Sequence, residues 1–580
     1  MTRLRNILTE HKLAVVLAIL TALIVAFPQI YFRIDQKEVY QGIELIPSSP
    51  WLPRVREVQD GHLNWGSIYY KDGKDLPYLF QPLGTAVVAY MGKIFGLEIN
   101  NTMLLFRATM PSAVFLLIYC FVLLLSRSRL IALCSATVII LAEPIIYAPG
   151  FLRLLDGVAP SKFLEIARPV NSAMIYLLFF GFLISFWKFY VTKSWRWGLV
   201  SAVILGLNFY NYFYTWTYLY AFLGVLILIF LIQKKWQEAI RIFYVFLGGL
   251  IVAVPYIINL YRAMQHPAYD DVGIRGGLVV SHAPIFVGSI VIGALILFFL
   301  GFPKEDRKKY YFSLALMLAP FITMNQQVLT GKMMQSAHYH WYFHKPMAAI
   351  FVIWIIFYFL SRKNFDFYKK ALAAMIIIIS LYTGAFTQVA SYLNDEKHGL
   401  QLSIESQKYG PVMKWLSEHA PKEAMVFSNE DTAEVVVIYT PLNVFHHVKA
   451  HLSLASTEER MYDTLFTYYR LEDINNSNAR ELFYNDERVF ISSRMYGLYY
   501  RQALGSYEAI PDEKIDTFLN LYLQTLPIQT KQWLREIFKK YEVEYIIWDK
   551  KENPSWQLDR FNFLEQRAGF GDLVIYQVIP

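Results

Sequence analysis

Residues 14–32 read AVVLAILTALIVAFPQIYF, and the charged stretch IELIPSSPWLPRVREVQDGH follows at residues 43–62. The first run matches the roughly 20 apolar residues that an α-helix needs to cross a bilayer. The second run places several ionisable side chains close behind the end of that span: Glu44, Arg54, Arg56, Glu57, Asp60 and His62. The charged stretch is therefore either an ordinary solvated loop or part of a functional site beside the membrane.

The composition is that of a polytopic membrane protein. Of 580 residues, 56% are hydrophobic, 17% are aromatic and only 17% are charged, whereas soluble domains are roughly 45–50% apolar. The formal charge of +8 comes from short basic clusters between apolar runs, which is typical of topology signals rather than of one binding patch. We therefore expect membrane lipids, and no nucleic acid, as partners.

The only two cysteines are Cys120 and Cys134, and both lie in apolar segments. This arrangement offers neither a disulfide framework nor a cysteine-based zinc site. The first apolar run follows Thr2-Arg3-Leu4-Arg5 and has no convincing small-residue cleavage site. Its length favours a retained anchor over a signal peptide.

Hydropathy predicts eleven membrane spans and one shorter apolar segment at 79–97, which we interpret as a re-entrant or interfacial helix. The predicted spans are 13–32, 103–126, 130–149, 171–190, 198–213, 214–233, 241–260, 284–302, 311–325, 345–361 and 371–390.

The distribution of Lys and Arg predicts which loops face the cytoplasm. With a cytoplasmic N-terminus, each inside segment, such as RSR, QKKWQEAIR or KEDRKK, is short and basic. The first external loop, at about 32–80, instead mixes six Lys or Arg with seven Asp or Glu. The positive-inside rule therefore predicts a plasma-membrane protein whose external loops are 32–102, 150–170, 261–283 and 326–344.

After residue 390 the hydropathy falls, and the pattern changes to that of a small α/β domain. The segments WLSEHA, AMVFSN, EVVVIYT, EYIIWDK and LVIYQVI alternate helix-like stretches with short β-branched runs. The predicted fold is thus an all-α membrane domain over 1–390, with about eleven transmembrane helices plus re-entrant or interfacial helices. An extracytoplasmic α/β domain over 391–580 follows it.

The polar residues of the external loops form a chemically suggestive set, since charge near the membrane is costly. Carboxylates can act as general base for an incoming hydroxyl or amine, while Arg, Lys and His can hold a phosphate leaving group. Asp156 lies in a short loop beside three basic residues, and Arg275 is flanked by glycines that allow close backbone approach. The alternatives are a solvated surface for the opening-loop acids and a turn with a surface arginine for Arg275.

Three clustered histidines, His338, His340 and His344, raise the question of a metal. Their spacing does not place all three on one helical face, and no H-E-x-x-H motif occurs there. We therefore expect no metal at this cluster, and instead a contact with phosphate or stacking of its aromatic neighbours on a sugar or lipid.

The order of these parts resembles the GT-C superfamily of polyprenyl-phosphate-dependent glycosyltransferases, which includes protein O-mannosyltransferases and aminoarabinose transferases. The resemblance is carried by the first span and by three segments after it: WLPRVREVQDGHLNWGSIYY, LPYLFQPLGTAVVAYMGKIFGL and FRATMPSAVFLLIYCFVLLLSRSRL. These look like the family's R-x-x-E-V-x-x-G helix, its proline-led second helix ending in F-G, and its next span. The resemblance covers residues 10–390, and the C-terminal domain resembles the superfamily's extracytoplasmic appendage.

This resemblance implies a sugar donor on a polyprenyl phosphate and an inverting transfer to a lipid-linked glycan or a protein on the outer face. It also implies no cofactor for a monophosphate donor, whereas oligosaccharyltransferase-like members with pyrophosphate donors use a divalent metal.

The sequence departs from the family pattern where the catalytic acid is expected, because Ser48-Ser49-Pro50 stands there. Either Asp35 supplies the carboxylate with 36–50 looped out, or Glu44 or Glu57 reaches in, or catalysis has been lost. Asp156 or Glu165 matches the family's second acidic position. The resemblance places four residues as candidates on the phosphate side: Arg168, Arg275, Lys332 and His338.

The sequence is compatible with three functions. The leading hypothesis is a glycosyltransferase, and the second is a catalytically silent scaffold of the cell envelope that binds glycan or lipid. A transporter is disfavoured, because the polar residues cluster at the outer face rather than at the bilayer midplane.

Overall fold

The fold is taken from a computed structural model that describes residues 9–44, 51–63, 66–146, 148–158, 160, 162–363, 365–396, 399–497 and 510–579. The first part of the chain is helical apart from one small β-ribbon. Its helices are α1 (Lys12–Asp35), α2 (Trp51–Asp60), α3 (Leu83–Phe95), α4 (Ile99–Ser126), α5 (Arg129–Leu141), α6 (Ala148–Leu155), α7 (Asn171–Thr192), α8 (Trp195–Leu207), α9 (Phe213–Ile232), α10 (Trp236–Met264), α11 (Tyr269–Arg275), α12 (Ser289–Gly301), α13 (Arg307–Thr323), α14 (Gln327–Thr330), α15 (Ala337–Arg362) and α16 (Asp366–Asn394).

Short elements connect these helices. The 3₁₀ turns are Glu143–Ile145, Glu165–Ala167 and Asn208–Tyr210, and α15 contains a π turn at His340–His344. Strands β1 (Leu278–Val280) and β2 (Lys332–Met334) pair antiparallel, and thereby join two of the predicted external loops.

Within the described residues, eight helices are long and apolar enough to cross a membrane. They are α1, α4, α7, α9, α10, α15, α16 and the stretch Arg307–Thr330 that contains α13 and α14. A polytopic membrane domain is therefore confirmed. Helices also lie at the other three predicted spans, but α5, α8 and α12 have only 13 residues each, so the count of eleven spans stays a prediction.

Aromatic rings fill the centre of the helical bundle. Phe312 of α13 contacts Phe121 of α4, Phe186 of α7 and Phe222 of α9, with ring centroids 5.2–6.4 Å apart. All four side chains are fully buried. Packed rings supply the dispersion contacts that hold helices together where lipid removes the hydrophobic driving force.

The chain after α16 forms a sheet covered by helices. The helices are α17 (Leu400–Glu405), α18 (Gly410–His419), α19 (Glu430–Tyr439), α20 (Glu458–Leu471), α21 (Ala479–Tyr484), α22 (Arg488–Tyr496), α23 (Asp512–Thr525) and α24 (Thr530–Lys540), with 3₁₀ turns at Ser406–Tyr409, Val448–Leu452, Pro554–Trp556 and Leu558–Arg560. The strands are β3 (Met425–Phe427), β4 (Asn443–Val444), β5 (Val543–Asp549), β6 (Leu564–Phe570) and β7 (Leu573–Val578). Their order is β4-β3-β5-β7-β6, with β3 parallel to β4 and β5, and β7 antiparallel to β5 and β6.

One β-branched run of this region is helical rather than extended. All of EVVVIYT except its last residue, the C-cap Thr440, lies within α19, whose N-cap Asn429 accepts a hydrogen bond from the Thr432 backbone N–H at 3.1 Å. Glu430 and Asp431 in the first turn complement the helix dipole. Capping and burial of both faces thus outweigh the modest helix preference of valine and isoleucine.

The predicted external loops meet the C-terminal region at one end of the helical bundle. The Val444 backbone N–H donates to the Tyr69 carbonyl at 2.8 Å, which extends the edge of the sheet onto the first loop. The Arg275 guanidinium donates to the His451 carbonyl at 3.0 Å from the third loop. Both loops are therefore anchored to the chain that follows α16.

Candidate functional site

A cavity of about 560 Å³ lies at this same end of the bundle. It is bounded by the turn after α5, by α6 and the segment that follows it, by the start of α15 and by α16. The described residues that line it are Glu143, Pro144, Ile145, Gly150, Arg153, Leu154, Val158, Pro160, Lys162, Phe163, Glu165, Arg168, Trp341, Lys345, Thr383 and Thr387.

The end of α5 delivers the first carboxylate of the cavity. Pro144 has no N–H to continue the helical ladder, so α5 stops at Leu141 and Glu143 emerges in a 3₁₀ turn. Burial, reinforced by the nearby Glu165 carboxylate, raises the pKa of Glu143 to about 7, against the opposing charges of Lys345 and Arg168. Glu143 is thus poised to exchange a proton near neutral pH.

Glu165 is the second carboxylate, and it is held by two partners. The Tyr342 hydroxyl donates to one carboxylate oxygen at 3.0 Å, and the Arg168 guanidinium pairs with the other at 3.1 Å. The backbone before Glu165 is also fixed, since the Leu164 N–H donates to the Gln388 amide oxygen at 3.1 Å. Glu165 therefore positions Arg168, and each of its two oxygens already has a partner.

Cations outnumber carboxylates in the cavity. Among the described residues, four basic side chains and two acids line it, and together they carry a net charge of +2 (four minus two) when both acids are ionised: Arg153, Lys162, Arg168, Lys345, Glu143 and Glu165. Lys345 is 6% exposed, whereas Arg153 and Lys162 are exposed at the mouth. A net positive, partly enclosed cavity favours an anionic ligand.

The cavity lining also includes hydroxyls and an aromatic ring. Thr383 and Thr387 project from α16, and their hydroxyls have no hydrogen-bond partner within the described chain. Trp341, in the π turn of α15, also lines the cavity and is 39% exposed. Unsatisfied hydroxyls beside an exposed indole are suited to the polar edge and apolar face of a sugar ring.

Of the nine residues predicted for the site, Glu165 and Arg168 are among the described residues that line this cavity. His338 lies nearby, with its Nδ1 in a hydrogen bond to the Tyr212 hydroxyl. It lies four residues before Tyr342, whose hydroxyl donates to the Glu165 carboxylate. The structure therefore brings Glu165 and Arg168, and indirectly His338, to the cavity.

Asp35 and Asp156 lie at the surface rather than in the cavity. Asp35 is the last residue of α1, is exposed, and accepts a hydrogen bond from the neighbouring Gln36 side chain at 2.6 Å. Asp156 follows the end of α6 and is also exposed. Neither placement provides the enclosure that a general base needs, so the catalytic roles predicted for both are not supported by the structure.

Glu44 is buried, but its partners make it structural. It is 3% exposed and accepts hydrogen bonds from Gln29, from Arg33 at 2.5 Å and from Tyr40 at 2.7 Å. Its backbone N–H donates to the Tyr439 hydroxyl at 2.7 Å. The carboxylate predicted as a base instead joins the end of α1 to α19.

Glu57 has a comparable role on α2. It pairs with His62 at 2.7 Å and with Lys74 at 3.1 Å, while the other His62 nitrogen lies 2.9 Å from Glu423. This network links α2 to the C-terminal region. Ser48, Ser49 and Pro50, where the family pattern has its acid, lie outside the described residues.

The phosphate-binding roles predicted for Arg275 and Lys332 are not supported by their placement. Arg275 is 3% exposed, and its guanidinium donates to the carbonyls of His451 and Ser456 at 3.0 Å and of Asp271 at 3.2 Å. The bonds to His451 and Ser456 attach Arg275 to the C-terminal region. Lys332 is exposed on β2, away from the cavity.

Glu143 is the residue that reading the sequence missed. It lies inside the apolar run that predicts a span at 130–149, so hydropathy hides it. The signal available was the Glu-Pro pair itself, because a proline near the end of an apolar run ends or kinks a helix and a carboxylate there is costly without a purpose.

The residues of this region do not fit a divalent metal. Each of the three histidines has its own surroundings: His338 bonds Tyr212, His340 faces Gly288, and His344 bonds the Thr323 hydroxyl at 3.2 Å. Within the described part of the chain, no group of three His, Cys, Asp or Glu residues could hold a metal ion. The two carboxylates of the cavity are outnumbered by cations that would repel one.

No protein-family model and no curated protein matches the chain. Among solved structures, it is similar to ArnT from Cupriavidus metallidurans bound to undecaprenyl phosphate, at 11% identity and a TM-score of 0.44, over 96% of this chain and 97% of that one. It is similar to the Archaeoglobus fulgidus oligosaccharyltransferase tethered with an acceptor peptide, at 10% identity and a TM-score of 0.46, over 92% and 69%. It is also similar to the arabinofuranosyltransferase AftD from Mycobacteria, at 11% identity and a TM-score of 0.45, over 98% of this chain and 40% of that one. The function proposed next rests on the chain's own residues.

Proposed function

We propose that the chain is a membrane glycosyltransferase that moves a sugar from a polyprenyl-phosphate donor to a glycan, lipid or protein acceptor on the outer face, with inversion. The observation that carries the proposal is a single cavity at the end of the helical bundle that combines four cations with two carboxylates. One of those carboxylates, Glu143, has a pKa of about 7. The cations can stabilise a phosphate leaving group, and a carboxylate can accept the proton of an acceptor hydroxyl.

The cations bind and stabilise the donor phosphate. Arg168 is oriented by Glu165, and Lys345 approaches from α15, so the two reach the cavity from different elements. Arg153 and Lys162 at the mouth attract the anionic headgroup from the membrane surface. As the bond from the anomeric carbon to the phosphate oxygen breaks, this charge stabilises the departing phosphate.

Glu143 acts as the general base. The acceptor hydroxyl oxygen forms the new bond to the anomeric carbon, and its proton passes to the Glu143 carboxylate. The electron pair of the broken bond leaves with the polyprenyl phosphate, and attack from the opposite face inverts the anomeric centre. No cofactor takes part in this scheme, because the lining cations supply the charge that a metal would supply.

Turnover by purified protein tests the proposal. Full-length protein in lipid nanodiscs is incubated with a panel of polyprenyl-phosphate sugars, and release of polyprenyl phosphate is measured. We expect Arg168→Gln and Glu143→Gln each to lower kcat by about 10²-fold or more. Asp156→Asn, which alters an exposed carboxylate nearby, is the matched control and keeps the activity; equal turnover in all three variants would refute the site.

A catalytically silent glycan- or lipid-binding scaffold is the second candidate. It is favoured by one observation, namely that Asp35, Glu44 and Glu57 all lie away from the cavity or are fully engaged. This candidate predicts that polyprenyl phosphate binds with a dependence on Arg168 while no donor is consumed. Detectable sugar transfer from any donor rules it out.

A further inference from the structure

A second, much smaller cavity of about 30 Å³ lies between the first loop and the C-terminal region. It is separate from the large cavity, and the two have no described lining residue in common. The described residues around it are Arg54, Gly66, Ile68, Tyr69, Leu79, Phe80, Lys449, Leu452 and Ser453. It has room for a group of a few atoms, but not for a sugar ring.

Arg54 is a buried cation without a counter-ion at this cavity. Its side chain is 2% exposed, and the guanidinium lies 3.9 Å from the ring centroid of Phe80 and 4.9 Å from that of Trp51. Its Nη1 has no hydrogen-bond partner, and within the described residues no carboxylate pairs with it. Burial lowers the pKa of Arg54 to about 10, so the side chain is still charged at neutral pH.

Tyr69 supplies a second unsatisfied polar group to the same cavity. It is 3% exposed, its ring stacks on His447 with centroids 4.3 Å apart, and its hydroxyl has no partner among the described residues. Burial raises the pKa of Tyr69 well above its usual value, so the hydroxyl keeps its proton and can donate it in a hydrogen bond.

Lys449 lies at the more open side of the cavity. Its side chain is 28% exposed, and its Nζ lies 2.9 and 3.0 Å from the two oxygens of Glu434. Lys449 therefore adds a charge that Glu434 already balances in part. Among the described lining residues, Arg54 is therefore the cation whose charge no carboxylate balances.

We propose that this cavity binds one phosphate group, which accepts hydrogen bonds from Arg54 and Tyr69 and is flanked by Lys449. A buried arginine without an anion is strongly unfavourable, because its desolvation is not repaid. Two buried donors without partners around one small cavity call for a bound ion or water, and only an anion also neutralises the guanidinium. The phosphate is either free phosphate or the headgroup of a lipid.

A phosphate at this position would connect two parts of the chain. The Ser453 hydroxyl already donates to the Gly66 carbonyl at 2.8 Å, beside the Val444 to Tyr69 backbone hydrogen bond at 2.8 Å. Arg54 and Tyr69 belong to the first loop, and Lys449 belongs to the C-terminal region. Binding should therefore raise the temperature at which these parts unfold.

Thermal unfolding of the full-length protein in detergent tests the proposal, with inorganic phosphate titrated against chloride at matched ionic strength. We expect Tm to rise with phosphate to saturation. The half-saturating concentration should increase at least tenfold in Arg54→Met and in the isosteric Tyr69→Phe, and less in Arg54→Lys. Arg56→Met, on the same helix but paired with Asp60 at 3.0 Å, is the matched control and should respond like the unmodified protein.

Two results would overturn the proposal. One is an equal phosphate response in Arg54→Met. The other is no response in the unmodified protein together with a higher Tm for Arg54→Met, which would mean that water alone fills the cavity. The titration is repeated in the Arg168→Gln background, so that phosphate in the large cavity is not counted.

The source of the phosphate is decided by a second probe. Nanodiscs with phosphatidic acid are compared with nanodiscs of neutral lipid at a fixed, subsaturating phosphate concentration. Stabilisation by phosphatidic acid that disappears in Arg54→Met assigns the site to a lipid headgroup, and stabilisation by inorganic phosphate alone assigns it to the free ion. Sugar transfer by the large cavity is measured in parallel, and its presence or absence leaves either result standing.

Discussion

Glu143 and Glu165 share one cavity but have different surroundings. Glu165 is engaged by Tyr342 and Arg168, whereas Glu143 emerges from a helix end and has its pKa raised to about 7, mainly by burial. Two carboxylates in different surroundings commonly divide the roles of a reaction. Glu143 is therefore the proton acceptor in the proposed transfer, and Glu165 orients a cation.

The pH dependence of turnover follows from this division. A general base must be unprotonated, so kcat should rise as the pH increases through about 7, the pKa of Glu143. Glu165→Gln removes a negative charge that raises the pKa of Glu143. The substitution also releases Arg168 from its ion pair, and the positive charge of Arg168 lowers the pKa of Glu143. We expect the midpoint of the profile to move to lower pH in Glu165→Gln, and the dependence to vanish in Glu143→Gln. A midpoint that stays in place in Glu165→Gln would show that another group titrates.

At the scale of elements, Glu44 joins α1 to α19. It is buried, pairs with Arg33 at 2.5 Å, and its backbone meets Tyr439 at 2.7 Å. Breaking one side of a fully buried ion pair costs about 3–5 kcal/mol, and because the Arg33 side chain is 24% exposed, we expect a cost at or below the lower end of that range. This cost distinguishes a structural carboxylate from a catalytic one.

Glu44→Gln should therefore lower the stability of the protein by a few kcal/mol, measured as a fall in Tm, while turnover well below Tm is retained. Asp35→Asn is the control, since Asp35 is exposed and bonds only its neighbour Gln36 among the described residues; it should change neither quantity. Loss of turnover in Glu44→Gln without a fall in Tm would restore Glu44 as a catalytic candidate.

The helix α19 shows why local composition does not decide every element. Its EVVVIYT run reads as β-branched, yet the Asn429 cap and the packing of its valines between α2 and the sheet make it helical. In contrast, EYIIWDK and LVIYQVI are the strands β5 and β7. The difference lies in which neighbours cover the side chains, and this is a property of tertiary packing.

At the scale of the whole molecule, the four predicted external loops and the C-terminal region gather at one end of the bundle. Positive-inside reasoning places that end outside the cell. The large cavity lies at the same end, so its access to an outer-face acceptor depends on this orientation.

Cysteine labelling in intact cells tests the orientation. In a background of Cys120→Ser and Cys134→Ser, we expect Ser477→Cys in the C-terminal region to react with a membrane-impermeant maleimide. Thr192→Cys, at the end of α7 on the opposite side, should react only after the cells are permeabilised. Both positions are exposed, so burial does not affect the comparison; the reverse labelling pattern would invert the topology.

The positions of the spans could be predicted because a membrane helix depends on a local property, a run of about 20 apolar residues. Helices lie at all eleven predicted positions in the described chain, and eight reach a spanning length. Three basic residues beside Asp156 in loop 150–170 were also visible in the sequence, and the family resemblance named Arg168 among the candidates for the phosphate side. The roles of individual residues could not be predicted. The sequence does not reveal whether the side chain of Glu44 or Arg275 faces a cavity or is bonded to the rest of the protein.

Hydropathy and the placement of basic residues by themselves determined a polytopic membrane protein with polar loops gathered on one side. Only the tertiary structure decided which of those polar residues share a site. Glu143 at the end of α5, Arg168 before α7 and Lys345 on α15 are far apart in sequence, and helix packing alone brings them to one cavity. Burial and partners, which set charge and proton affinity, arise from that packing and have no local signature.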